Sequence, residues 1–125
     1  MTIARRRTGE IAEDLVARRL AAAGWEIVER NARTRYGELD IVARDNATLV
    51  FIEVKGAREG TSLGPEKPIL AIDARKQRRV RRLASAWMSE RRDQPPYAEI
   101  RFDAVGVTLD RHGSAVEIDY VKGAF

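Results

Sequence analysis

A chain of 125 residues with 23 Lys and Arg against 19 Asp and Glu, a formal charge of +4 and an isoelectric point near 9.8 has the size of one domain, large enough for a sizeable core and too short for two. The lack of cysteine excludes disulfides and thiolate zinc sites, and no run approaches the roughly 20 apolar residues of a membrane span. Arg5, Arg6 and Arg7 precede no apolar segment of the export-signal kind, so a cytoplasmic protein without a membrane partner is expected, and the net charge favours a polyanionic partner.

Met1 to Arg7 reads as a flexible basic arm. Thr8 is placed to cap a helix running to about Ala23, and Gly24 suits the left-handed residue that ends it. Trp25 to Asn31 predicts a strand. Two runs rich in β-branched and aromatic residues, parted by the turn signal Asp45, Asn46 and Ala47, predict a hairpin. Gly56 to Pro68 is expected to be a loop beside it. Asp73 caps a second helix to about Arg91, Gln94 to Pro96 break it, and strands follow over roughly Glu99 to Val107 and Ala115 to Val121. The order α-β-β-β-α-β-β predicts an α/β fold, a mixed sheet flanked by helices.

The stretch from Gly37 to Lys55 places charges where the apolar pattern predicts a core. Asp40 lies among Leu39, Ile41 and Val42, and Glu53 and Lys55 are flanked by Phe51, Ile52 and Val54. Burying a charge costs several kcal/mol unless a partner or metal compensates. With a loop of two or four residues centred on Asn46 and Ala47, Asp40 falls opposite Glu53 and Glu38 opposite Lys55; a three-residue loop would separate the acids. Carboxylates facing each other across a ladder repel, and a hard divalent cation between them turns repulsion into ligation. Glu53 and Lys55 share a strand face. Two acids with an adjacent lysine suit metal-assisted phosphodiester hydrolysis, the metal acidifying a water that the lysine steadies.

Both helices are amphipathic. In the first, Ile11, Ala12, Leu15, Val16 and Leu20 form the apolar stripe; Glu13 sits at its edge, whereas Glu10 and Asp14 point outward. In the second, Val80, Leu83, Ala84, Trp87 and Met88 form the buried face. Arg75, Arg78 and Arg82 gather opposite, with Arg79 toward the flank, either as a solvated face or as a nucleic-acid-binding one. Lys76 and Gln77 flank the stripe at the N-terminal turn, where helix N–H groups can meet a phosphate. Arg101 and Asp103 most simply pair with each other, and Trp25 and Trp87 read as core aromatics.

An acid on one strand followed by E-x-K on the next resembles the PD-(D/E)XK nuclease superfamily, with Asp40 at the aspartate and Glu53-Val54-Lys55 at the paired motif; Leu39 stands where the superfamily name has proline. The blocks "TGEIAEDLVARRLAAAGWEIVERN", "YGELDIVARD", "LVFIEVK", "ARKQRRVRRLASAWM" and "RFDAVGV", in this order, are similar to the YraN family, bacterial proteins with a predicted endonuclease-like fold. The resemblance implies a restriction-endonuclease-like or Holliday-junction-resolvase-like sheet. It implies Mg²⁺ or Mn²⁺ held by Asp40, Glu53 and the Val54 carbonyl, with Lys55 positioning the water. Glu13 matches the family's helix glutamate, and Lys76 and Gln77 its "KQ" pair.

Two functions from different classes stay open at this point: a metal-dependent nuclease-like protein acting on DNA, including branched or structured DNA, and a non-catalytic module that recruits DNA to repair, recombination or uptake partners. A homodimer is compatible with both.

Overall fold

The computed structural model describes residues 3–60 and 67–125. Helix α1 (Ile3–Ala22) leads into strands β1 (Glu26–Thr34), β2 (Gly37–Asp45) and β3 (Thr48–Arg58). A short 3-10 helix (Pro68–Ala71) and helix α2 (Ala74–Glu90) then carry the chain to β4 (Glu99–Leu109) and β5 (Ala115–Val121). The five strands form one mixed sheet in the order β1-β2-β3-β4-β5. Neighbours are antiparallel except β3 and β4, which run parallel because α2 supplies the crossover that a parallel pair needs.

A helix covers each face of this sheet. On β3, Val50, Ile52 and Val54 pack toward Ala12, Val16 and Leu20 of α1, whereas Leu49 and Phe51 pack toward Val80, Leu83 and Trp87 of α2. Burial on both faces explains why β3 reads as a near-continuous apolar run. Fully burying a side chain of Phe51's size stabilises by about 1.5–3 kcal/mol, so the central strand fixes the platform on which its charged end is held.

Three boundaries differ from the sequence reading. Residues 3–7 are the first turns of α1 and not an arm, because Ala-Arg-Arg-Arg is good helix-forming sequence with no breaker before Gly9. Thr8 therefore lies inside the helix, where its hydroxyl donates to the Ala4 carbonyl (2.8 Å) and accepts from Arg58 Nε (3.1 Å). Strand β1 continues past Asn31 to Thr34 through a left-handed kink at Asn31 (φ +49°). Strand β3 runs on through Gly56 to Arg58, paired with β4 as far as Leu109. Gly56 is a point of close approach: a Cβ there would lie 2.8 Å from the Ala12 Cβ. The loop expected from Gly56 thus begins later, and residues 61–66 of it lie outside the described residues. Asp73 caps α2 as expected, accepting the Lys76 N–H (3.0 Å), and Gly24 adopts φ +94° after α1. Among the described residues no helix is long and apolar enough to cross a membrane.

Candidate functional site

The β2–β3 turn consists of Asn46 and Ala47, between the paired residues Asp45 and Thr48. This two-residue loop sets Ile41 opposite Ile52, so the next facing residues in the same register are Asp40 and Glu53. Regular pairing stops there. Val54 N–H donates to Asp40 Oδ2 (2.8 Å) and not to the β2 backbone. The cause is a kink in β2. Leu39 and Ile41 are both buried, yet Leu39 packs on the α2 side and Ile41 on the α1 side, which unbroken alternation would forbid. Asn31, the left-handed residue of β1, sits across from that break, between the pairs Arg30↔Ile41 and Ala32↔Leu39. Strand β2 therefore separates from β3 at Asp40 and leaves a notch in the sheet.

Three carboxyl groups meet at this notch. Burial is the largest influence on each, raising all three, because removal from water disfavours the ionised form. Glu13 is pushed up to about 7, first by burial and then by the charge of Asp40. Asp40 rises to about 6, by burial set against the Val54 N–H it accepts, and Glu53 to about 8, by burial and by the charge of Asp40. Glu53 in turn lowers Asp40 slightly, while the charge of Asp40 raises Glu53, so the two carboxyl groups act on each other as a pair. A cation bound between the two would relieve the repulsion that raises Glu53.

The cations nearby are of two kinds. Arg79 lowers both Asp40 and Glu53, and Lys76 lowers Glu53, so α2 turns two charges toward the acids without a direct ion pair to any of the three among the described residues. Arg30 of β1 lowers Glu13 while paired with Asp14. Lys55 is exposed, on the same β3 face as Glu53 by alternation. Gln77 is half-buried and donates from Nε2 to the Ile72 carbonyl (3.2 Å), fixing the entry to α2. The Lys76 and Gln77 backbone N–H groups are taken by Asp73, so the expected phosphate contact from this turn falls to the Lys76 side chain.

The arginine run of α2 has several fates. Arg75 and Arg78 are exposed, Arg79 leans toward the acids, Arg81 lies over Phe102 (5.0 Å) and Arg82 over Tyr36 (4.2 Å). Arg101 and Asp103 pair as expected, within a closed network that takes no part in the notch. Sequence reasoning missed Arg30 as a neighbour of Glu13, and it placed Arg79 toward the flank of the arginine face without joining it to the acids. The signal for Arg79 was its position three residues after Lys76, one helical step along the same flank.

Asp40 and Glu53 supply hard, desolvated oxygen donors of the kind Mg²⁺ or Mn²⁺ prefers. Val54 belongs with them: a strand residue sends its N–H and C=O to the same side, so a Val54 N–H directed at Asp40 puts its carbonyl on the notch edge as well. Among the described residues no three of His, Cys, Asp and Glu gather closely enough to hold a metal by side chains alone. The fitting set is therefore two carboxylates and a backbone oxygen, completed by water or phosphate.

The profile of the family described as "Uncharacterised protein family UPF0102" matches residues 12–107, which take in the second half of α1, strands β1 to β3, α2 and most of β4. A UPF0102 protein of Streptomyces griseus is 49% identical over 113 residues, covering 90% of this chain and 92% of its own. One from a Parafrankia species is 48% identical over 119 residues, covering 95% and 96%. A more distant UPF0102 protein, from Moorella thermoacetica, is 41% identical over all of both chains. This chain belongs to the UPF0102 family, as the YraN-type sequence resemblance indicated.

Proposed function

We propose that this protein is a metal-dependent, nuclease-like DNA-binding enzyme built on a PD-(D/E)XK-type sheet. The observation that carries the reading is the facing pair Asp40 and Glu53, half-buried at a break in the sheet and offset by no direct ion pair among the described residues. Uncompensated buried acids are a standing cost to the fold, which a divalent cation removes. Bound there, Mg²⁺ or Mn²⁺ would polarise a phosphate and acidify a water at neutral pH. Lys55 projects from the same strand face as Glu53 and would orient that water. Glu13, raised to about 7, is matched to accepting its proton near neutral pH. Lys76, Arg79 and the outer residues Arg75, Arg78 and Arg82 would hold the flanking phosphates.

The second reading, a non-catalytic module that brings DNA to a partner, is favoured by one observation: among the described residues no third side chain joins the two carboxylates of the proposed metal set. A cleavage and nicking assay on plasmid, single-stranded and branched DNA with Mg²⁺ and Mn²⁺ separates the two. The enzyme reading expects cleavage that Glu53→Ala abolishes. DNA binding with no cleavage under any of these conditions would decide for the module.

A further inference from the structure

Tyr36 is 47% exposed at the tip of the β1–β2 connection. The turn has two residues, Arg35 and Tyr36, closed by the pair Thr34↔Gly37. Thr34, itself buried, clamps it from within: its hydroxyl accepts the Tyr36 N–H (3.1 Å) and donates to the Gly37 carbonyl (2.8 Å). A ring on so short and so tied a turn is held out with little freedom left to lose. Two guanidinium groups lie over the ring, Arg82 at 4.2 Å and Arg35 at 5.1 Å from its centroid, and Arg35 is steadied by Glu90 (3.6 Å). With both cations in place the residue as a whole is still 47% exposed, and a base laid on the ring would take the place of one guanidinium and free it for a phosphate.

The placement relative to the acids gives this ring a use. From Tyr36 the chain runs four residues along β2 to Asp40, roughly 13 Å at about 3.3 Å per residue. That is the length of about four stacked nucleotides at 3.4 Å each. Arg79 fills the interval: its Nη2 lies 3.1 Å from where a Gly37 Cβ would be, and its charge acts on both Asp40 and Glu53. Arg82 at the ring and Arg79 between Gly37 and the acids thus link Tyr36 to the acid pair through cations of α2.

We propose that Tyr36 is a stacking platform for an unpaired base, with Arg35 and Arg82 at the adjoining phosphates, so that the notch acts on DNA carrying a single-stranded segment a few nucleotides from the cut phosphate. A paired base keeps its π-faces inside the duplex stack, whereas an unpaired base can lay its face on a protruding ring, whatever its sequence. The proposal rests on the nuclease-like reading of the acid site. Its test is kept metal-free so that binding alone is read.

Affinities are measured for a short single strand carrying 2-aminopurine, the same strand with an abasic position, and the matching duplex, with the native protein and with Tyr36→Ala, Tyr36→Phe and Tyr36→Trp. Stacking predicts that Tyr36→Ala weakens single-strand binding about tenfold and duplex binding less than about twofold. Tyr36→Phe and Tyr36→Trp should keep the affinity and the 2-aminopurine quenching, and the abasic strand should bind about as weakly to the native protein as the intact strand does to Tyr36→Ala. Equal affinity of native and Tyr36→Ala for the single strand, or equal affinity of intact and abasic strands for native protein, would overturn it and reduce the ring to an anchor for Arg82. In that case, persisting duplex binding and metal-dependent cleavage would leave the nuclease reading standing. Failure of the native protein to bind either form of DNA would remove both.

Discussion

Two acids one ladder step apart on neighbouring strands, the buried Asp103 of β4 and the half-buried Glu53 of β3, are treated in opposite ways by the same sheet. Asp103 is fully buried and fully answered: Arg101 donates from Nε (2.8 Å) and Nη2 (3.1 Å), the Tyr120 hydroxyl donates to Oδ2 (2.6 Å) and the Gly123 N–H to Oδ1 (2.9 Å). Glu53 and its partner Asp40 receive one backbone N–H between them, from Val54, and the more distant charges of Arg79 and Lys76. Burial of a carboxylate is therefore no mark of function by itself. The mark is burial that the rest of the protein leaves uncompensated.

The largest effect tests the satisfied side of this contrast. Asp103→Ala removes the acceptor for a guanidinium, a phenol and a backbone N–H at once, and should destabilise the protein by about 3–5 kcal/mol in urea unfolding. A loss under about 1 kcal/mol would mean that water replaces the carboxylate and that the two regions differ less than their hydrogen bonds suggest.

Next in size is the response to metal. If Asp40 and Glu53 hold a cation only in the folded state, Mn²⁺ at a hundredfold excess over its dissociation constant adds about 2.7 kcal/mol to stability and raises Tm. Asp40→Asn and Glu53→Gln should abolish the rise. A Tm indifferent to Mn²⁺ in the native protein would make the notch a structural pocket.

The metal-free protein should show the cost of the acids through pH. Glu13 and Glu53 have folded-state values of about 7 and about 8 against an ordinary 4.5, so between those limits the folded protein binds more protons than the unfolded chain. Stability from these groups is thus fully present below the ordinary carboxylate range and is lost as pH rises toward 8, at about 1.4 kcal/mol per pH unit for each proton. Glu53→Gln, whose amide can donate to Asp40 as the protonated acid does, should flatten this slope and stabilise the metal-free protein by roughly 2 kcal/mol at pH 8. Native stability that climbs from pH 5 to 8 would contradict the shifts. Mn²⁺ affinity should run the other way, tightening over the same window as the protons leave.

The pattern of charges on apolar strands carried the facing of Asp40 and Glu53 into the sequence, because Asp45-Asn46-Ala47 marks a tight turn and the turn fixes the register. The helix stripe likewise showed Ala12, Val16 and Leu20 as core with Glu13 at their edge. What alternation could not show was its own failure: it assumes an unbroken strand, and the kink at Asp40, across from the left-handed Asn31, is a tertiary compromise that opens the notch. Gly56 illustrates the same limit, since a glycine that looks like a strand end is here the point where α1 touches β3. The separate roles of Arg79, Arg81 and Arg82 depend on what lies beneath each, which a run of like charges conceals.

The smallest expected effect concerns Lys55, and it separates a working group from a structural one. Lys55 is exposed on β3, so Lys55→Met, which keeps the stem and removes the ammonium, should change unfolding stability by no more than about 0.5 kcal/mol. Both proposed carboxylate ligands stay in place, so the Mn²⁺-induced rise in Tm should persist while any cleavage falls about 10²-fold, the scale of losing a positioned catalytic group. Lys55→Ala should match it. If the Mn²⁺ response disappears in both variants, Lys55 is holding Glu38 and Glu53 in place as a charge network, and the contrast with Asp103 narrows to two satisfied acids built in different ways.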